Sequence, residues 1–220
     1  MIKAITFDLD MTLIDFMNYK RKATSAAASA MIKAGYTGDR KKLKKELFDF
    51  YLSHGIESDD PFEKFLKNHK SYSDRILAAA INAYLKSKYP NIKPYPGVKK
   101  TLKKLKQKGY KLAIVTDAPK LKAYVRLDEM GIADMFDVVV GLEDTGRHKP
   151  SKLPFKKALK ALHVKPSEAM HVGDWREKDV LGAKKMGMRS CLAHYGDQHI
   201  GRKVWADCYV DKVEDIVKVL

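Results

Sequence analysis

Residues 2–12 read Ile2-Lys3-Ala4-Ile5-Thr6-Phe7-Asp8-Leu9-Asp10-Met11-Thr12. A short apolar run breaks off into two carboxylates, one residue apart, and then a hydroxyl. A run of this length bounded by polar residues predicts a buried strand over residues 2–8. Asp8 and Asp10 then fall just past the carboxyl end of a strand, which is where open parallel sheets bind their ligands. Residues i and i+2 of an extended segment project to the same side, so both carboxyl groups can face one substrate.

The chain downstream repeats this grammar. Val98, Leu102 and Leu105 mark one face of a helix that Gly109 ends, and residues 110–116 follow as a strand. A helix is expected from Pro119 to about Gly131, a third strand at 136–140, and a helix at 151–162 with Leu153, Phe155, Leu159 and Leu162 as its apolar set. Residues 169–172 read as a fourth strand, 177–186 as a helix ended by Gly187, and 188–193 as a fifth strand. A short strand at 207–210 and a terminal helix at 212–220 complete the pattern. Such alternation implies an α/β fold, a Rossmann-like three-layer core with a parallel sheet and helices on both faces. Residues 15–93 break the rhythm. They contain no convincing strand, only helical patterns near 20–34, 39–53, 61–69 and 72–88. The expected organisation is a core of residues 1–14 and 94–220 with an all-helical domain, 15–93, inserted after the first strand.

Composition narrows the classes. Apolar residues make up 45% of the 220 and charged residues 32%, enough for a packed interior and too apolar for wholesale disorder. No stretch approaches the ~18 unbroken apolar residues of a membrane span, and acids at Asp8 and Asp10 interrupt any leader-like run. The expectation is a soluble, cytoplasmic protein without a membrane partner. Cys191 and Cys208 lie in no metal or disulfide framework and are expected to be reduced and structural. Lys+Arg is 43 against Asp+Glu 27, a formal charge of +16, which raises anionic partners. The lysines are scattered over every predicted helix, however, and arginines and interleaved aromatics gather nowhere, which weighs against a nucleic-acid surface. Abundant Lys with scarce amides suits a thermophile. Tyr19, Lys20, Arg21 and Lys22 could reach an anion; a solvent-facing helix end is the favoured reading of them.

Chemistry gathers at the strand ends. The second strand runs into Thr116-Asp117, the third leads by a loop to Lys149-Pro150, and the fourth ends in Gly173-Asp174 with Asp179 five residues on. One acid at a strand end means little. Asp8, Asp10 and Asp174 in one crevice would repel one another unless some are protonated or a cation sits among them. All-oxygen ligands select a hard ion, and few of them with retained water suit Mg²⁺. A metal and a lysine then let a carboxylate approach a phosphoryl dianion. Thr12 and Asp117 are further candidates for contact with substrate. His163, His171, His194 and His199 show no zinc spacing.

Asp8-Leu9-Asp10-Met11-Thr12 resembles the first motif, DxDxT, of the haloacid dehalogenase-like hydrolases. Thr116, Lys149-Pro150 and Gly173-Asp174 with Asp179 resemble the second, third and fourth motifs in order and context. The resemblance spans about 140 residues and implies strand order 5-4-1-2-3. It implies Asp8 as a nucleophile that forms an aspartyl-phosphate. Asp10 would protonate the leaving alcohol and then activate water. Thr116 would bind phosphoryl oxygens, and Lys149 would pair with the nucleophile and the phosphoryl charge. Mg²⁺ would be held by Asp8, the Asp10 carbonyl and Asp174, with Asp179 as an outer partner. The helical insertion resembles the family's C1-type cap, with hinges after Leu13 and at Pro94–Gly97. The implied activity is a Mg²⁺-dependent phosphatase for a small phosphomonoester, as a monomer or small homo-oligomer. Carbon–halogen hydrolysis and a sugar-phosphate mutase are the alternatives on the same fold, and a non-catalytic basic binding protein is the alternative from another class. Asp10 and Asp174 favour phosphoryl transfer. Met11 is expected to pack beneath the cap or narrow the site, and Trp175 to line either the crevice or the core.

Overall fold

The computed structural model describes residues 1–54, 60–197 and 204–220; His199 lies outside the described residues. In chain order the elements are β1 (Ala4–Phe7), α1 (Phe16–Lys33), α2 (Arg40–Ser53), α3 (Pro61–Asn68), α4 (Asp74–Asn91), α5 (Val98–Gln107), β2 (Lys111–Val115), α6 (Lys120–Glu129), β3 (Val138–Val140), α7 (Lys152–Leu162), β4 (Ala169–Gly173), α8 (Leu181–Met186), β5 (Arg189–Ala193) and β6 (Cys208–Val210). Several ends differ by two to four residues from the sequence reading, and two segments differ in kind. The helix expected from residue 177 begins as a π-helical turn, Arg176–Val180, before α8. The C-terminal helix is a 3₁₀ segment, Val213–Lys218.

The sheet order is β3-β2-β1-β4-β5-β6, and every pairing is parallel. The five-strand order 5-4-1-2-3 is therefore present and is extended by β6 beside β5. β1 lies in the middle, with Ala4, Ile5, Thr6 and Phe7 all fully buried. A strand covered on both faces reads as a near-continuous apolar run rather than an alternating one. Thr6 is the polar exception, and its register partner on β4 is His171.

One face of the sheet packs Ala4, Ala113, Val115 and Val140 against Phe155, Ala158, Leu159 and Leu162 of α7. Ser151 starts that helix, its hydroxyl accepting from the Leu153 amide. Leu153 itself is 48% exposed, because the buried stripe runs through Pro154 instead. Phe155 is the keystone of this layer. Its ring stands edge-on to His171, and a Cβ on Gly182 would lie 2.5 Å from it, so only glycine lets α8 approach. Cys191 and Cys208 are free, buried and in register across β5 and β6.

The chain divides into two compact units, Met1–Asp15 with Lys93–Leu220, and Phe16–Ile92. Within the first unit, the two chain crossings are stitched together: Ile14 bridges Pro94, and the Tyr95 amide donates to the Leu13 carbonyl. The second unit has its own core, with Ala23, Ala27 and Met31 of α1 packed with Leu43 and Leu47 of α2, Phe65 and Leu66 of α3, and Ala80 of α4. The solvent-facing reading of Tyr19 and Lys20 does not hold. Tyr19 is 1% and Lys20 3% exposed, and the Lys20 ammonium donates to the phenol oxygens of Tyr51 and Tyr84. Arg21 and Lys22 are exposed as expected. Among the described residues no helix is long and apolar enough to cross a membrane.

Phe155→Ala would remove a fully buried ring from this layer and is expected to cost about 3–5 kcal/mol. The checking measurement is denaturant unfolding, read as a lower midpoint at unchanged slope.

Candidate active site

Asp8, Thr116 and Asp174 sit just past the carboxyl ends of β1, β2 and β4, Lys149 lies in the loop between β3 and α7, and Asp179 lies in the π-helical turn after β4. The Asp8 amide extends the β1–β4 ladder by one hydrogen bond, to the Val172 carbonyl at 2.9 Å. The chain then turns back on itself. The amides of Leu13 and Ile14 both donate to Leu9, and Met11 takes the left-handed conformation at φ 61°. The Met11 carbonyl packs against Gly196, where a Cβ would come within 1.8 Å of it. The Tyr195 hydroxyl donates to the Thr12 carbonyl at 2.8 Å. The turn after β5 thus clamps the loop after β1. Nothing in the sequence reading singled out Tyr195 or Gly196.

The centre of the site is an ammonium between two carboxylates. Lys149 Nζ donates to Asp8 Oδ1 at 2.5 Å and to Asp179 Oδ1 at 2.6 Å, with all three residues buried. Asp179 is saturated. Its Oδ1 also meets His171 Nε2 at 3.1 Å, and its Oδ2 accepts from the Trp175 amide at 3.0 Å. His171 Nδ1 in turn pairs with Thr6 Oγ1 at 2.8 Å. A Cβ on Gly173 would lie 2.3 Å from the Asp179 carboxyl carbon, so the glycine before Asp174 makes room for this carboxylate.

Asp174 is 3% exposed and accepts from the Thr12 hydroxyl at 3.1 Å. Thr12, expected at the substrate, is fully buried and instead orients this acid. Asp117 was likewise expected at the substrate, yet it fastens the Lys149 loop. Its Oδ1 accepts from the Lys149 amide at 2.8 Å, and its Oδ2 from Lys178 Nζ at 2.9 Å. A carboxylate facing an incoming dianion would repel it; turned onto an amide and an ammonium, it is compensated. Thr116 Oγ1 accepts from the Ala118 amide at 3.1 Å, which leaves the hydroxyl proton for an acceptor. Trp175 stacks under the Lys178 ammonium at 4.2 Å and is part-buried.

Asp10 stands apart from the Lys149 network. Its Oδ2 accepts from Arg126 Nη1 at 2.7 Å, and the arginine side chain is 3% exposed. Arg126 escaped the sequence reading, although a signal was present. On α6 the buried positions are Ala123, Arg126 and Leu127, while Leu121, Tyr124 and Val125 face outward. An arginine on the inward stripe of a helix needs a buried acid.

Oxygens of Asp8, Asp174 and Asp179 all lie within 4.8 Å of one another. This all-carboxylate set suits a hard divalent cation. Asp179 already accepts on both oxygens, which favours Asp8 and Asp174 as direct ligands. The electrostatics point the same way. Burial pushes the Asp8 carboxyl well above the usual carboxylate range; Lys149 opposes this, and Asp179, Asp174 and Asp10 add to it. Burial also works against charge on Lys149, but Asp179, Asp8 and Asp117 outweigh it and hold the ammonium charged. Asp179 overcomes its own burial through Lys149 and His171 and stays ionised. Burial keeps His171 neutral against the pull of Asp179. One lysine serves two carboxylates, and Asp179 holds it together with two other donors. Asp8 is the acid left under-compensated.

The haloacid dehalogenase-like hydrolase family matches residues 5–193 of the chain. Glyceraldehyde 3-phosphate phosphatase of Pyrococcus furiosus is 33% identical over 223 aligned residues, covering 100% of this chain and 93% of that protein. The enzyme of the same name from Methanopyrus kandleri is 37% identical, covering 86% of this chain and 82% of its own. Among solved structures, a HAD phosphatase from Thermococcus onnurineus superposes with a TM-score of 0.70 at 26% identity, covering 99% of this chain and 97% of that one.

The Asp8 carboxyl binds its proton more tightly folded than unfolded. Metal-free stability should therefore fall as pH rises from the ordinary carboxylate range through the raised value. Asp8→Asn removes that charge. With chelator present its Tm is expected to exceed that of the wild type at pH 8. The gap should narrow toward pH 5, and thermal melts across this range check it.

Proposed function

Because the chain belongs to the haloacid dehalogenase-like hydrolases, we propose that it is a magnesium-dependent phosphatase of small phosphomonoesters, with Asp8 as the nucleophile. The observation that carries this reading is the buried Asp8–Lys149–Asp179 bridge with Asp174 beside it. A carboxylate aimed out of a parallel sheet, with a fixed ammonium at one oxygen, is oriented for attack and needs only its charge balanced.

Asp8 attacks phosphorus, the ester oxygen leaves, and an aspartyl-phosphate forms. Asp10 gives its proton to the departing alkoxide. It then takes one from the water that cleaves the aspartyl-phosphate, which releases inorganic phosphate and restores Asp8. The Thr116 hydroxyl donates to a phosphoryl oxygen, and Lys149 offsets the charge gathering between Asp8 and the phosphoryl group. Asp117 and Lys178 keep the Lys149 loop at its distance. Mg²⁺, held by Asp8, Asp174 and the Asp10 carbonyl, would supply the remaining positive charge that lets an anionic nucleophile meet an anionic ester. The helical unit, Phe16–Ile92, is on this reading the cap that selects the leaving group.

The relatives support a choice of substrate. Two proteins named glyceraldehyde 3-phosphate phosphatase match most or all of this chain. A three-carbon phosphorylated aldehyde is therefore the first substrate to test. The second acid of the first motif, Asp10, has no task in displacing a halide, which needs no proton to leave, and this favours phosphoryl transfer over dehalogenation.

Phosphate release from glyceraldehyde 3-phosphate and from 4-nitrophenyl phosphate is the deciding assay. Chelator should abolish both activities and Mg²⁺ restore them. Asp8→Asn should lower kcat by at least about 10³-fold, as loss of a nucleophile does. Turnover that survives Asp8→Asn or chelation overturns the reading.

A further inference from the structure

We propose that Arg126 is a positioning residue for the reaction: it pins the Asp10 carboxyl group in the place from which that group serves the leaving oxygen. The inference rests on the phosphatase reading above and adds a residue that none of the four motifs contains.

Charge and placement carry it. The strand ends bring Asp8, Asp10, Asp174 and Asp179 to one side of the sheet. The third motif supplies one buried cation, Lys149, which Asp8 and Asp179 share. The salt bridge between Arg126 and Asp10 adds a second buried cation on another element, α6. The arginine sits on the inward stripe of that helix, between Ala123 and Leu127, and is 2% exposed. Burying a guanidinium is costly unless a carboxylate answers it. A lysine reaching in from a half-exposed position, as Lys178 reaches Asp117, neutralises acid charge at less cost. An arginine held inside by Asp10 is therefore a directional device, because its planar donors fix the plane of the carboxyl they meet.

The backbone adds a reason. Asp10 precedes Met11, whose left-handed conformation carries the chain away from β1. The Asp10 side chain is 23% exposed, against 11% for Asp8. A side chain on a turn, partly open to solvent, has rotamers to choose among. A general acid must stand within hydrogen-bond reach of the atom it serves. With Oδ2 bonded to Arg126 at 2.7 Å, rotation about the Asp10 side-chain bonds is restricted. Arg126 thus acts through Asp10, without contacting the reacting atoms.

Leaving groups of different basicity separate this role from a merely structural one. An alkoxide needs a proton as it departs, whereas 4-nitrophenolate does not. Arg126→Met should lower kcat/KM for glycerol phosphate about tenfold or more relative to 4-nitrophenyl phosphate, in the direction of Asp10→Asn. Arg126→Lys should recover part of the lost ratio. In the Arg126→Met/Asp10→Asn double variant the ratio should match that of Asp10→Asn alone, since the general acid that the arginine positions is then already gone. Equal losses on both substrates, or multiplying losses in the double variant, overturn the proposal. If Arg126→Met does not fold, Arg126→Gln supplies the same ratio. Wild-type protein that cleaves neither ester refutes the phosphatase reading instead. Wild-type cleavage of both, with an unchanged ratio in the variants, refutes only the role of Arg126.

Discussion

A single ammonium group, buried between Asp8 and Asp179, ties the first strand of the sheet to the fourth and to the loop after the third. Much else at this end of the molecule serves that contact. Asp117 anchors the Lys149 amide, Gly173 yields space to Asp179, and His171 and the Trp175 amide take up the rest of the Asp179 carboxylate. The result is a deliberate inequality. Asp179 is over-provided with donors and stays charged, while Asp8 is left with half a lysine and an unfavourable burial. A carboxylate in that condition is poorly satisfied at rest and suited to meeting both a cation and an electrophile.

The strand ends were legible in the sequence because each combines two local signals, an apolar run and an abrupt polar stop. Asp8, Thr116 and Asp174 fall at such stops, and Lys149 lies in the loop that follows the third. The central strands followed from the same alternation, whereas their order came from the family resemblance. The parts that were not legible depend on which way a side chain turns. Thr12 and Asp117 lie in motif positions beside the candidate catalytic residues, yet their side chains turn to Asp174 and to the Lys149 amide. Spacing places a residue at the crevice; it does not say whether its oxygen faces inward or back to the scaffold.

Arg126, His171 and Lys20 show the other side of that limit. Each is a polar residue at a position where the period of its element calls for an apolar one, so each was readable as an anomaly but not as a contact. His171 needed the β1–β4 register to reveal Thr6 beside it. Lys20 needed the packing of three helices to reveal its phenol partners, Tyr51 and Tyr84. The boundary errors have a simpler cause. The π-helical turn at Arg176–Val180 sets Asp179 toward Lys149, and a hydrophobic pattern does not distinguish that widened turn from an ordinary first turn of helix.

The clamp formed by Tyr195 and Gly196 on the loop of Met11 and Thr12 joins residues 183 positions apart. Contacts of such long sequence separation form late in folding, because the entropy of closing the intervening loop must be met before they gain anything. The bend that carries Asp10 is therefore locked by one of the most distant contacts in the core, and its final shape waits on the turn after β5.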